Sequence, residues 1–286
     1  MNMCNFLVPL YIYYYGYSPK YRGVQFLFCQ SYISDQKEGE LENMKTTGTI
    51  KNGISSAQAW EALGKIKMNL GFLSVDRSYT CIMFSSSVAG EGKSTIVANL
   101  ALSLSASEKK VLIIDADLRR PTQHKLFKVV NQVGLSDIMA KRLDWHEYTC
   151  ETDTSNIKLI TAGRTPPNPA EMLASKRMGE FLNECREAFD YVLVDCPPIL
   201  LVADTISLSK HADGIVIVVR YNYTTRQALA SVKEELKLAN VRIIGTIFNA
   251  VGKGDIMYDS YGYNNKYYES INTRNRARRS RPNLHT

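Results

Sequence analysis

Six short apolar runs are spaced along the chain, and each has the length of a single β-strand. They lie at residues 80–84, 111–115, 157–161, 191–195, 215–219 and 243–248. Within each run the apolar residues follow one another without alternating with polar ones. This is typical of strands that are covered on both faces of a sheet.

Between these runs, apolar residues recur at helical spacing. Helical patterns cover residues 93–107, 169–189 and 224–239. In the second of them Asn168 is expected to cap the helix, with Pro169 at the first position and Glu171 bonding back to the cap. An earlier helix begins near residue 57, and its expected inner face holds Trp60, Leu63, Ile66, Leu70 and Leu73. The alternation of strand and helix predicts a doubly wound, mostly parallel α/β domain over residues 57–257.

Both ends of the chain lack this periodicity. Residues 1–56 are predicted to be a poorly structured extension, and Met44 directly follows a polar run. Residues 1–43 are therefore either an overextended start or a disordered extension, or else a segment that meets a membrane surface or a partner. Residues 258–286 are predicted to be a flexible tail, rich first in tyrosine and then in arginine.

Charge is concentrated in that tail. The chain carries +7 at pH 7, and five arginines between residues 274 and 281 supply +5, which leaves +2 for the rest. The basic end is either a solvated terminus or a contact for anionic lipid or phosphate. The nearly balanced body gives no reason to expect a nucleic-acid partner.

The six cysteines show no paired short spacing, which argues against a disulfide framework or a zinc site and suits a reducing cytosol. No apolar run approaches the roughly 20 residues that a membrane-spanning helix needs.

The segment "SSSVAGEGKST" (85–95) follows a predicted strand and opens a predicted helix, which is the context of a P-loop. Glycines let backbone N–H groups turn toward an anion, and the helix start adds its positive end. Against G-x-x-x-x-G-K-[ST], only the first glycine differs, being Ser87. The predicted nucleotide-binding residues here are Gly90, Glu91, Gly92, Lys93, Ser94 and Thr95. No [NT]-K-x-D motif for guanine follows, so ATP is favoured over GTP.

Three aspartates stand at the carboxyl ends of predicted strands. "VLIIDADLRRP" places Asp115 and Asp117 at one end, and "YVLVDCPP" places Asp195 at another. Ligands of open α/β sheets bind at this edge, so the carboxylates are expected near Lys93 and Ser94, where they can serve Mg²⁺. Downstream, five tyrosines lie within eleven residues among glycine, asparagine and acids, without the apolar neighbours of buried tyrosines: Tyr258, Tyr261, Tyr263, Tyr267 and Tyr268.

This combination of P-loop, D-x-D-x-R, D-x-P-P and C-terminal tyrosines resembles the bacterial tyrosine kinases (BY-kinases) of capsule and exopolysaccharide operons, in their cytoplasmic Gram-positive form. The segments "NLALSLSASEKKVLIIDADLRRP" and "AGRTPPNPAEML" are similar to that family too. The resemblance implies that ATP and Mg²⁺ are the cofactors and that the tyrosine cluster is the phosphoacceptor.

The resemblance also implies individual roles. Lys93 and Ser94 would hold the phosphates and the metal, and Asp117 and Asp195 would order the metal and its waters. Asp115 would take the proton of an incoming tyrosine, whose unperturbed pKa is about 10. Asn249 is either an adenine contact or a turn residue. Arg119 and Arg120 either assist the phosphate charge or form a salt bridge.

Partners are implied as well: a transmembrane polysaccharide co-polymerase whose cytoplasmic segment activates the kinase at the inner face of the membrane, and a cognate tyrosine phosphatase. The family's subunit-contact motif E-x-x-R-x-x-R would fall at Glu61, Gly64 and Lys67, so a homo-oligomer is in doubt.

Two other functions stay open. One is a partition- or targeting-type ATPase switch, although Val88 stands where that class carries a lysine. The other is a regulatory protein that binds nucleotide without turnover, which the intact P-loop lysine and three aspartates disfavour.

Overall fold

A mostly parallel sheet runs through the centre of the molecule. The structure, a computed structural model, describes residues 30–31, 57–73 and 78–251. Its strands are β1 (Gln30–Ser31), β2 (Cys81–Ser86), β3 (Val111–Asp115), β4 (Cys150–Glu151), β5 (Ile157–Ile160), β6 (Tyr191–Asp195), β7 (Gly214–Arg220) and β8 (Ile243–Asn249). They lie in the order β1-β8-β7-β2-β6-β3-β5-β4. Within the described ranges each neighbouring pair is parallel except β4 with β5.

Helices cover the sheet. They are α1 (Ala57–Leu73), α2 (Lys93–Ser105), α3 (Gln123–Leu126), α4 (Leu135–Lys141), α5 (Pro169–Leu173), α6 (Lys176–Ala188), α7 (Asp204–Ser209) and α8 (Arg226–Leu238). The predicted doubly wound, mostly parallel α/β class is confirmed. In the part of the chain that is described, no helix is both long and apolar enough to cross a bilayer.

Alternate side chains of each central strand enter two separate cores, one on each face of the sheet. Ile82 and Phe84 of β2 pack into the cluster that contains α1 and α2. Cys81 and Met83 of the same strand pack into the opposite cluster, which contains α6. Burial on both faces explains why the strands are apolar without alternation.

The N-terminal turn of α1 is less buried than predicted. Leu63, Ile66 and Leu70 are buried as expected, but Trp60 is 37% exposed and does not belong to the core. The predicted helical spacing is correct, but the buried stripe of the helix is narrower than predicted.

The predicted helix at 169–189 is two helices, because Ser175 interrupts it. Ser175 has an extended backbone and its hydroxyl oxygen accepts a bond from Met178 N, so it caps α6. The predicted cap by Asn168 is also wrong in detail. Asn168 is the N-cap residue and Pro169 follows it, but the Asn168 amide nitrogen donates to the Glu171 carboxylate at 3.2 Å instead of capping the backbone.

The predictions for residues 1–29, 32–56 and 252–286, including Met44 and the five tail tyrosines, lie outside the described residues. Of the N-terminal extension, the structure describes only β1, which pairs with Phe248 and Asn249 of β8.

Candidate active site

The P-loop leaves the end of the central strand β2 and leads into α2. Gly90 and Gly92 both have left-handed backbone angles, with φ of 82° and 88°. A side chain at Gly92 would collide with the amide of Asn249, and one at Gly90 would meet the Tyr223 hydroxyl at 3.4 Å. Glycine is therefore required at Gly92 by both conformation and space.

Three consecutive carbonyl oxygens of this loop accept bonds from side chains at the ends of β7 and β8. The Tyr223 hydroxyl donates to Ala89 O at 3.1 Å and Arg220 Nη1 donates to Gly90 O at 3.2 Å. Asn249 Nδ2 donates to Glu91 O at 3.0 Å. We call these three side chains, Arg220, Tyr223 and Asn249, the carbonyl clamp. Carbonyls that are held outward favour a loop whose N–H groups turn toward an anion.

Glu91 braces the loop with its side chain. It is buried, its Oε2 accepts from Val88 N at 2.9 Å, and its Oε1 accepts from the Thr224 hydroxyl. Glu91 is predicted to bind nucleotide, but both of its carboxylate oxygens are engaged by Val88 N and the Thr224 hydroxyl, so its side chain supports the loop.

Lys93 meets two of the predicted aspartates. Its Nζ lies 3.0 Å from Asp117 Oδ2 and 3.4 Å from Asp195 Oδ1, and it lies 3.3 Å from the Ser94 hydroxyl. Burial alone would lower the pKa of Lys93, but the carboxylates of Asp195 and Asp117 raise it above its ordinary value. Lys93 is therefore a fixed positive charge at the start of α2.

Asp115, the third predicted aspartate, lies next to Asp195. It is the register partner of Asp195 across β3 and β6, and both side chains are fully buried. Asp115 Oδ2 accepts from Thr122 N and Gln123 N, each at 2.9 Å. Burial and the nearby Asp195 carboxylate raise the pKa of Asp115 to about 8, although the two backbone bonds and Lys93 oppose that shift.

The remaining predicted residues fall around this centre. Asp117 Oδ1 accepts from Arg120 N at 3.0 Å, while the Arg120 side chain is exposed. Arg119 forms a salt bridge: its Nε and Nη2 donate to the fully buried Asp204 carboxylate at 2.9 and 3.2 Å. Thr95 follows Ser94 in the first turn of α2 and is half-buried.

Gln123, the first residue of α3, also belongs to the site, although the sequence did not predict it. Its Nε2 donates to Asp195 Oδ2 at 2.8 Å and to Ser94 O at 3.1 Å. It lies eight residues after Asp115, beyond the recognised motif, and no spacing rule marks it. Arg220 and Tyr223 were missed for the same reason, because only the fold brings them to the P-loop.

The residues of the expected subunit-contact motif make contacts within the chain. Glu61 pairs with Lys65 at 3.0 Å, and Lys67 Nζ donates to the Ser107 hydroxyl at 2.6 Å. The described residues leave open space around Gly64, since an added side chain would meet none of them within 4 Å.

Within the described ranges, no three His, Cys, Asp or Glu side chains gather closely enough to hold a metal by themselves. The oxygen atoms of Ser94, Asp117 and Asp195 around one ammonium are a smaller set. Such a set suits Mg²⁺, which takes one or two carboxylates and completes its shell with water and phosphate oxygens.

Comparison with known proteins gives consistent matches. Residues 79–245 match the family model described as an AAA domain. The chain is 41% identical over 198 residues to the tyrosine-protein kinase YwqD of Bacillus subtilis, covering 69% of this chain and 83% of that protein.

A longer relative is matched only in part. The chain is 31% identical over 230 residues to the tyrosine-protein kinase wzc of Salmonella typhimurium, which is 80% of this chain but 32% of that protein. The chain thus spans about a third of wzc. The kinase domain of the Escherichia coli tyrosine kinase ETK superimposes with a TM-score of 0.72 at 28% identity, covering 79% of this chain and 90% of that domain.

The P-loop, the strand-end aspartates and the helical cover thus occur together in a chain that matches a curated kinase over most of that kinase's length. The chain belongs to the AAA-domain family and, within it, to the bacterial tyrosine-protein kinases.

Proposed function

We propose that the chain transfers the γ-phosphate of ATP to tyrosine hydroxyls, including those of its own C-terminal cluster. The observation that carries the proposal is the Lys93 ammonium at the start of α2, held between Asp117 and Asp195. Phosphoryl transfer depends mainly on positioning and on charge stabilisation, and this group supplies both at one strand edge.

The metal that fits the site is Mg²⁺, with Ser94, Asp117 and Asp195 as the residues that would hold it directly or through water. When bound, it would neutralise phosphate charge. Lys93 would exchange its carboxylate partners for phosphate oxygens. Gly90, Gly92 and Thr95 would contribute the backbone and the helix start to phosphate binding, and Asn249 would hold the loop through its bond to Glu91 O.

In the transfer, the bond between the γ-phosphorus and the bridging oxygen breaks and a bond to the tyrosine oxygen forms. The hydroxyl proton goes to Asp115 in this proposal. Asp115 accepts the proton only in its ionised form, and its raised pKa of about 8 makes that form a stronger base than an ordinary carboxylate while lowering its population below that pH. Because Asp115 is fully buried, the tyrosine hydroxyl reaches it only if residues 116–122 move or a water relays the proton.

The acceptors that we propose are Tyr258, Tyr261, Tyr263, Tyr267 and Tyr268. Each phosphate would add close to two negative charges to the tail. The resemblance supports a role in capsule or exopolysaccharide synthesis, with a membrane co-polymerase segment as activator and a tyrosine phosphatase as the opposing enzyme. Under this proposal residues 57–257 form the kinase domain, and the chain works at the inner face of the membrane through its partner.

The test is incubation of the purified chain with ATP and Mg²⁺, with and without the activator's cytoplasmic peptide, followed by mass spectrometry. We expect phosphotyrosine within residues 258–268. Lys93→Met should abolish it, whereas Lys65→Met should not, because Lys65 is exposed on α1. Phosphate release without phosphotyrosine would instead indicate the ATPase switch, and nucleotide binding with neither product would indicate the regulatory protein.

The base assignment needs its own comparison. Asp115→Asn should bind nucleotide but lose labelling. Full labelling by Asp115→Asn, with loss in Asp117→Asn, would transfer the role of base to Asp117, which is 5% exposed and so lies nearer the surface.

A further inference from the structure

Gln123 contacts three parts of the site at once. Its backbone N–H donates to Asp115, its side-chain nitrogen donates to Asp195 Oδ2 at 2.8 Å, and the same nitrogen donates to Ser94 O at 3.1 Å. The residue is fully buried. It thus ties the first turn of α2 to both carboxylates of the β3–β6 pair.

The orientation of the Gln123 amide follows from its neighbours. A backbone carbonyl and a carboxylate only accept hydrogen bonds near neutral pH, so the NH₂ group must face them and Oε1 must face away. Oε1 is buried, and no donor from the described part of the chain reaches it. An unpaired buried acceptor destabilises the fold. An apolar side chain of similar length would avoid that cost but would leave Asp195 Oδ2 and Ser94 O without this donor, so glutamine serves these two acceptors and does more than fill space.

The two oxygens of Asp195 have different partners. Oδ1 faces Lys93 Nζ at 3.4 Å, whereas Oδ2 is held by Gln123 at 2.8 Å. Lys93 is the partner that turns to phosphate when a nucleotide binds under the proposed function. Gln123 would then still hold Asp195 Oδ2, while Asp195 Oδ1 would be free to face the metal.

We propose that Gln123 is a positioning residue that fixes the Asp195 carboxylate for the metal–nucleotide complex. This inference rests on the proposed function for the identity of the ligand, Mg²⁺ with an adenine nucleotide. Gln123 acts through Asp195 and Ser94 and needs no contact with the reacting atoms. Partners of this kind set the orientation of metal-holding groups, and their loss costs about 10- to 100-fold in metal affinity.

The test is a binding experiment that does not depend on catalysis. ADP affinity of the full chain is measured by calorimetry in EDTA and again across a Mg²⁺ titration, for the parent, Gln123→Met and Gln123→Leu. The matched control is Gln227→Met, the same change at an exposed glutamine of α8. The melting temperature of each variant is measured alongside.

We expect both Gln123 variants to bind ADP in EDTA within about twofold of the parent. Their Mg²⁺ midpoint should rise by about tenfold or more, while Gln227→Met stays at the parent value. An unchanged Mg²⁺ midpoint in a folded Gln123 variant overturns the inference. So does an equal loss of affinity with and without Mg²⁺ together with a lower melting temperature, since that indicates packing.

Failure of the proposed function gives a different result. A parent chain that never labels tyrosine, but whose Mg²⁺ midpoint still shifts on losing Gln123, refutes the kinase and supports the positioning role. A parent whose ADP binding is indifferent to Mg²⁺ overturns the inference even when labelling occurs.

Discussion

Replacing Asp115 with asparagine should change how the stability of the metal-free protein depends on pH. Burial and the nearby Asp195 carboxylate raise the pKa of Asp115 to about 8 in the folded chain. The unfolded chain has an ordinary aspartate pKa near ~3.9. Between these values the folded protein holds a proton that the unfolded chain has released.

The sign and the size follow from proton linkage. Because the folded pKa is raised, the stability contributed by this group is complete below about pH 4 and is lost as the pH rises through about 8. One extra proton in the folded state lowers the free energy of unfolding by about 1.4 kcal/mol per pH unit. Between pH 6 and pH 7 the loss assigned to Asp115 is therefore about 1.4 kcal/mol.

Asparagine removes the titration and keeps an acceptor for the backbone N–H groups of Thr122 and Gln123, which lie at 2.9 Å. The assay is urea unfolding in EDTA at half-unit steps from pH 6 to pH 7.5, followed by tryptophan fluorescence. The stability of the parent should fall relative to Asp115→Asn at each step. Other titrating groups, such as His124 and His211, are present in both proteins and cancel in the difference.

Asp190→Asn is the matched control. A backbone bond from Lys110 and the Lys109 ammonium hold the pKa of Asp190 below its usual range despite some desolvation, so it stays ionised over the whole interval. Its stability difference from the parent should be constant with pH. If Asp115→Asn gives an equally constant difference, Asp115 is ionised in the folded chain and the account of its burial is wrong.

Substitutions at three further contacts test other parts of the structure. Lys93→Met should lower tyrosine labelling by about 10²-fold or more, measured by mass spectrometry, because a positioned charge on the phosphates is lost; labelling at the parent rate would remove Lys93 from the machinery. Arg119→Met should destabilise the fold by about 2 kcal/mol in urea, less than for a fully buried pair, since Asp204 loses its partner but Arg119 is half exposed. Adding Asp204→Leu should recover part of that loss, and simple additivity would contradict the pairing. Tyr223→Phe should weaken ADP binding about fivefold by calorimetry, the equivalent of about 1 kcal/mol for its bond to Ala89 O; unchanged affinity would show that the clamp does not organise the loop.

The strands could be predicted from the sequence because their burial on both faces leaves a continuous apolar signal. The bounds of β3 and β6 agree with the predicted runs 111–115 and 191–195. The convergence of Lys93, Asp117 and Asp195 was also predictable, since parallel strands end at one edge of the sheet. These features depend on local pattern and on one topological rule.

The supporting contacts could not be predicted in the same way. Gln123 and Asp204 are polar residues whose burial is decided by tertiary packing, and neither stands in a motif. The break at Ser175 was missed because a serine within an apolar helical pattern gives no clear signal until its hydroxyl is seen to cap α6. Sequence pattern thus identified the P-loop lysine and the strand-end aspartates but not the residues that orient them.

The order of the strands explains how the contacts that support the P-loop are divided. β2 lies between β6 and β7, so the P-loop is supported from two sides. On the β6 and β3 side the contacts are buried carboxylates, which hold Lys93. On the β7 and β8 side they are the carbonyl clamp, in which Tyr223 is 51% exposed. A perturbation at the protein surface can therefore reach the loop through the clamp side, whereas the acidic side is shielded from solvent. Contacts that set charge and contacts that set loop shape are thus carried by different strands, and substitutions on one side should leave the other largely intact.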